Sequence, residues 1–180
     1  MSSYSTCVQK ASVMRQFLKL APTTWRDELP APLGALVRDP PPLTAWVPEV
    51  HATAVYLAIV DVRGWEDKDF VARALTMNRE LLQSPLYRVL MTVVSPGWLV
   101  RGGAGRWAMM HQGIELSGQM VGSTSAQFEL TFPRRLVPTL IAQCYATAFQ
   151  AALESASAKK VTVSLGASTD ETATYRCDWR

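Results

Sequence analysis

The stretch IELSGQMVGSTSAQFELTF, Ile114 to Phe132, decides how the chain folds. Ile114, Leu116, Gly118 and Met120 alternate with Glu115, Ser117 and Gln119. A period of two describes a strand with one dry face. After Gly122-Ser123 the pattern returns more sharply, with Ala126, Phe128, Leu130 and Phe132 set against Ser125, Gln127, Glu129 and Thr131. Two such runs joined by a short glycine-containing loop make a hairpin.

Downstream, Pro133 stops the second strand and Pro138 suits the first turn of a helix. From Val137 the apolar residues Ile141, Cys144, Ala148 and Ala152 recur at helical steps, the mark of a helix laid on a sheet. Ser155 to Lys160 ends it. Val161, Val163 and Leu165 then alternate with polar neighbours, as do Ala173, Tyr175, Cys177 and Trp179 after a turn at Gly166 to Asp170. The pattern predicts a strand–strand–helix–strand–strand unit whose four strands form an antiparallel sheet with one covered face.

Upstream, the chain reads as helical. Val8 to Leu20 places Val13, Phe17 and Leu20 on one side, and short helical turns are expected between Pro22 and Pro42. The run Pro40-Pro41-Pro42 is a stiff extended connector. Pro48 opens a helix to about Val62, and Asp67 or Asp69 can cap the next, striped by Phe70, Ala74, Met77 and Leu81. Ser84-Pro85 and Ser95-Pro96 each pair an N-cap with a proline, starting helices around Leu86 to Val94 and Gly97 to Arg101. The expected fold class is α+β: a helical N-terminal two-thirds followed by the four-stranded antiparallel sheet covered by helices. One domain spanning residues 1–180 is expected, with 1–7 disordered.

Composition narrows the function classes. Among 180 residues, 48% are hydrophobic and 18% charged, with a net charge of +3, which is ordinary for a globular domain and too mild to imply nucleic acid. Cys7, Cys144 and Cys177 lack the clustering of disulfide or zinc sets, and the last two fall on apolar faces. Met1 to Lys10 is polar and unlike a signal peptide, and no stretch reaches the length of a membrane span. A cytoplasmic protein with no membrane partner is expected.

Catalytic motifs are absent from the sequence. The two histidines, His51 and His111, are not spaced as metal ligands, and no Gly-x-Ser-x-Gly elbow or phosphate loop occurs. His51 has Glu49 nearby, but residues two apart do not share a helix face. Gly102-Gly103-Ala104-Gly105 reads as a flexible bend between helices. The segment Arg106-Trp107-Ala108-Met109-Met110-His111 gathers a cation, an indole, two thioethers and an imidazole into about one turn. Such soft side chains with one polar tip suit an apolar cavity. The six tryptophans suit cores, pockets and docking surfaces alike.

The combination of Trp46-Val47-Pro48-Glu49-Val50-His51, Ser84-Pro85-Leu86-Tyr87-Arg88 and Ala173-Thr174-Tyr175-Arg176-Cys177-Asp178-Trp179 resembles an uncharacterised paralogous family of myxobacterial proteins. That family is remotely similar to the heme-nitric-oxide-binding and 4-vinyl-reductase-like sensor domains. The resemblance covers most of residues 25 to 179. It implies a helical N-terminal part, a terminal sheet flanked by helices, a sensory role and a homodimer. It does not carry heme across, because those sensors hold the porphyrin propionates with Tyr-x-Ser-x-Arg, a run this chain lacks.

The expectation is therefore a non-enzymatic sensory or small-molecule-binding domain without metal or cofactor. A small apolar ligand would lie between helices and sheet, near Trp46, His51, Trp98, Trp107, Met110 and His111. Signalling would proceed through a conformational or dimer change. The alternative is a protein-interaction module that docks a protein partner on a tryptophan-rich surface without ligand. An enzyme is the weakest reading, since no nucleophile–base pair is visible.

Overall fold

The computed structural model describes residues 4–23, 25, 29–89 and 95–180. The hairpin read from Ile114 onward is there, as β4 (Glu115–Gly122) and β5 (Ser125–Thr131), and β6 (Thr162–Ser168) and β7 (Thr172–Asp178) complete the sheet. The strand order is β4-β5-β7-β6, antiparallel throughout. The register sets Ala126 opposite Cys177, Phe128 opposite Tyr175 and Leu130 opposite Ala173, so the buried residues of the two central strands share one face. Helix α8 (Thr139–Ser155) connects β5 to β6 and covers that face with Ile141, Cys144, Tyr145 and Phe149. Burial pushes the Cys144 and Cys177 thiols up to about 12, which leaves both as inert apolar side chains.

The N-terminal part departs from its expected helices in its first residues. Val8–Lys10 is a strand, β1, and helix begins only at α1 (Ala11–Leu18). Trp46–Pro48 forms β2 and His111–Gln112 forms β3, and β1 lies between them as an antiparallel pair with each. These strands have two or three residues, too few to establish a period, so their existence is a tertiary fact. Of the lead expected to be disordered, residues 1–3 lie outside the described residues, whereas Cys7 is fully buried and the Tyr4 hydroxyl donates to the Arg134 carbonyl at 2.8 Å.

The remaining helices are α2 (Ala31–Arg38), α3 (Glu49–Arg63), α4 (Asp67–Gln83), α5 (Pro85–Arg88), α6 (Pro96–Arg101) and α7 (Gly103–Ala108). Pro48 precedes α3 as expected, and Gly64 ends it at φ 62°, a left-handed position that glycine adopts without strain. The cap of α4 differs from expectation. Glu66 is the N-cap, and Asp69 answers from the third position in a reciprocal capping box. Ser95 caps α6 through the Trp98 N–H, but the Ser84 hydroxyl donates back to the Leu81 carbonyl instead of capping α5. The helix expected across Leu86 to Val94 is described only to Arg88, and residues 90–94 lie outside the described residues. The glycine run is not a bend: Gly103 and Gly105 belong to α7, and Gly102 alone separates it from α6.

Helix α4 lies along α8. Among the described residues two polar contacts join them: Asn78 Nδ2 donates to Thr147 Oγ1 at 2.9 Å, and Arg79 forms a forked pair with Glu154 at 2.7 Å on both arms. Buried hydrophobic residues from Cys7 to Trp179 form one connected cluster. Among the described residues no helix is long and apolar enough to cross a membrane.

Gly118 sits opposite Phe128, and a Cβ there would fall 2.6 Å from the ring. Gly118→Val is expected to lower stability by about 1–3 kcal/mol, measured as a fall in the urea midpoint at unchanged slope. The Arg79 pairing holds the Glu154 carboxyl below the usual carboxylate range. Its contribution is present above the unfolded pKa and lost as pH falls through the lowered folded one. Denaturant titrations should show Glu154→Gln costing at most about 1 kcal/mol at pH 7 and progressively less toward pH 3.

Candidate functional site

Between α4, α7, α8 and the sheet lies a cavity of about 80 Å³. Leu81 and Leu82 come from α4, Leu99 from α6, Trp107 from α7, Leu116 and Phe128 from the sheet, and Phe149 and Leu153 from α8. These faces are apolar because each helix turns its core stripe toward the sheet. At Gly103 α7 faces Phe128 and Leu116, which a Cβ there would meet at ordinary contact distance. The volume equals roughly six water-sized spheres. Among the described residues three polar ones break the apolar wall: Asn78, Arg106 and His111.

One wall is an aromatic stack. The Trp107 and His111 rings lie nearly parallel with centroids 4.2 Å apart, and Tyr145 meets both edge-on at 5.2 and 5.6 Å. Phe149 continues the layer, stacked on Phe128 at 4.8 Å. Trp107 cannot swing freely, because Nε1 donates to the Ile114 carbonyl at 2.9 Å.

Behind the stack sits a buried polar cluster centred on Glu49, which is 1% exposed. Its Oε1 accepts from the Tyr145 hydroxyl at 2.7 Å, and Oε2 lies 3.3 Å from His111 Nδ1. Its backbone N–H donates to the Cys7 carbonyl at 2.8 Å, which ties the start of α3 to the lead into β1. Nearby, Gln9 and Tyr56 hydrogen-bond each other inside the core. Burial pushes the Tyr145 hydroxyl well above its ordinary value, and the Glu49 charge and hydrogen bond raise it further, so it stays protonated and donates. Tyr56 is raised in the same way, by burial first and by Glu49 second.

The structure brings together three of the six residues proposed from the sequence. Trp107, Met110 and His111 border the cavity, and Trp46, His51 and Trp98 do not. Trp98 is half exposed under the Arg106 guanidinium at 4.0 Å, and Trp46 lies in β2 beneath the Lys10 ammonium at 3.7 Å. His51 is half-buried on α3. His111 is not in a helical turn with Trp107. It stands on β3, and the chain folds back to stack the two rings. Sequence reading missed Glu49 as a partner of His111, 62 positions away, and missed Tyr145. Among the described residues no group of three or more His, Cys, Asp or Glu could hold a metal ion.

No protein-family model matches the chain, and no curated protein matches its sequence. Solved structures do match. An oxygen-binding H-NOX domain related to soluble guanylate cyclases superposes with a TM-score of 0.65 at 8% identity, over 94% of this chain and 92% of that chain. An H-NOX protein from S. oneidensis, solved in the Fe(II)NO ligation state, gives 0.64 at 13% identity, over 95% of this chain and 99% of that one. A Cs H-NOX mutant carrying the unnatural amino acid 4-cyano-L-phenylalanine gives 0.66 at 11% identity, over 95% and 96%. The likeness to heme-nitric-oxide-binding domains expected from the sequence is present at the level of architecture: this chain has the H-NOX fold.

Proposed function

We propose that this chain is a sensory domain that binds a small apolar molecule in the cavity and holds no porphyrin. The observation that carries the reading is the cavity itself, apolar on nearly every side and placed between helices and sheet where a bound molecule touches α4, α7 and α8 together. Occupancy changes a signal only if the bound and empty conformations differ in ligand affinity. Helix α7 is the part we assign to that difference, since it supplies Trp107 to the wall and Arg106 to the exposed Trp98. A change in homodimer equilibrium is the output we assign, following the family resemblance.

Heme, whose distortion was probed in a matching structure of the H-NOX family, does not fit the residues present. An apolar cavity of about 150 Å³ takes a single benzene ring, so one of about 80 Å³ does not seat a tetrapyrrole. The propionate-binding run is absent from the sequence.

The alternative, docking through a tryptophan-rich surface, has less support. Trp25, Trp107 and Trp179 are buried, and Trp46 and Trp65 stand at opposite ends of α3, roughly 22 Å apart along its axis. Each partly exposed indole also carries a cation on its face, Lys10 on Trp46, Arg73 on Trp65 and Arg106 on Trp98.

Furan, a five-atom apolar ring, is expected to raise the melting temperature at millimolar concentration, and Ala148→Leu, which fills the cavity, to abolish that rise while the fold is kept. Protein mixed with hemin and passed over a sizing column should show no Soret band. A stoichiometric Soret band, or a furan shift unchanged in Ala148→Leu, would refute the reading.

A further inference from the structure

The chemistry of the cavity wall specifies more than apolarity. His111 Nδ1 faces Glu49 Oε2, and a carboxylate only accepts, so Nδ1 carries a proton, and in the neutral form of the ring Nε2 keeps its lone pair. Nε2 makes no hydrogen bond among the described residues. It is also not one of the sealed unpartnered atoms, which are Thr53 Oγ1 and the Tyr175 hydroxyl. The ring borders the cavity and is only 5% exposed, so the space that Nε2 reaches is the cavity.

Asn78 points to the same conclusion independently. The Thr147 hydroxyl spends its proton on the Cys144 carbonyl at 2.7 Å, so it must accept from Asn78, which fixes the amide with Nδ2 toward Thr147. Asn78 Oδ1 is then the second acceptor on the wall without a partner among the described residues. The remaining polar wall residue, Arg106, is turned to the Trp98 ring and the Gly102 carbonyl. An anion therefore has no dedicated anchor here, and two acceptors wait for a donor.

We infer that the ligand is a small, neutral, largely apolar molecule carrying an N–H or O–H donor, that a neutral His111 protonated on Nδ1 receives that donor at Nε2 with Asn78 Oδ1 beside it, and that Glu49 is the positioning residue that fixes this tautomer. This rests on the cavity being a ligand site. Glu49→Gln tests the positioning role. The Gln oxygen keeps the Tyr145 hydrogen bond, and its amide nitrogen turns toward Nδ1. Nδ1 then accepts from that amide, and the ring proton moves to Nε2.

Pyrrole and furan are matched in size and differ in the donor. Calorimetric titration of the purified full chain should show pyrrole binding roughly five- to tenfold tighter than furan. The preference, taken as the ratio of the two affinities within each variant, should shrink at least threefold in His111→Phe and in Glu49→Gln. Failure of furan itself to bind would sink the cavity reading. Furan bound with no pyrrole preference, or a preference unchanged in His111→Phe, would overturn this inference alone. Should a variant fail to fold, ¹⁵N NMR of the wild-type imidazole decides: the protonated Nδ1 and bare Nε2 are expected, and an Nε2–H or doubly protonated ring overturns the assignment.

Discussion

A carboxylate with almost no contact with water is the constraint around which this fold is arranged. Burying Glu49 is unfavourable unless its oxygens are hydrogen-bonded. Its partners come from separate parts of the chain: Tyr145 from α8, His111 from β3, and the Cys7 carbonyl next to β1. One residue therefore fastens the small three-stranded sheet, the start of α3 and the helix of the C-terminal unit. Removing one hydrogen-bond partner from such a group typically costs about 1–3 kcal/mol, since a buried acceptor is left unsatisfied. The cavity lies on the other side of the rings that satisfy this carboxylate, so the polar cluster also shapes the wall that a ligand would meet.

Much of the architecture was readable because its periods are long. Seven or eight alternating residues in β4 and β5, and the helical recurrence of Ile141, Cys144 and Ala148, specify strand and helix without help from distant residues. The short strands β1, β2 and β3 were unreadable for the opposite reason. Two or three residues carry no period, and their extended state comes from pairing across the chain. The glycine run shows the same override. Its propensity favours a bend, but the packing of Gly103 against Phe128 and Leu116 holds it in α7.

The site was half legible. The Trp107-to-His111 segment stood out by composition, and Trp107, Met110 and His111 do border the cavity. The chemistry of the site, however, lies in pairings between residues 62 and 96 positions apart, Glu49 with His111 and Glu49 with Tyr145. Local spacing set Glu49 beside His51, where helix geometry correctly ruled out a pairing, and gave no sign of the distant one. Trp46 and Trp98 illustrate how little an indole says by itself: each is occupied by a neighbouring cation on the surface.

On the proposed reading, sharing the H-NOX fold around a cavity of about 80 Å³ separates architecture from chemistry in this chain. The aromatic layer of Trp107, Tyr145 and Phe149 fills the interior down to a small pocket, and the histidine beside it is held by a carboxylate. Diffraction from crystals pressurised with xenon measures that pocket directly. The account predicts one well-occupied xenon site bounded by Trp107, Phe128 and Phe149, with the Glu49, His111 and Tyr145 contacts undisturbed. An interior with no xenon there, or with Trp107 and His111 parted to expose a slot wide enough for a tetrapyrrole, would contradict it.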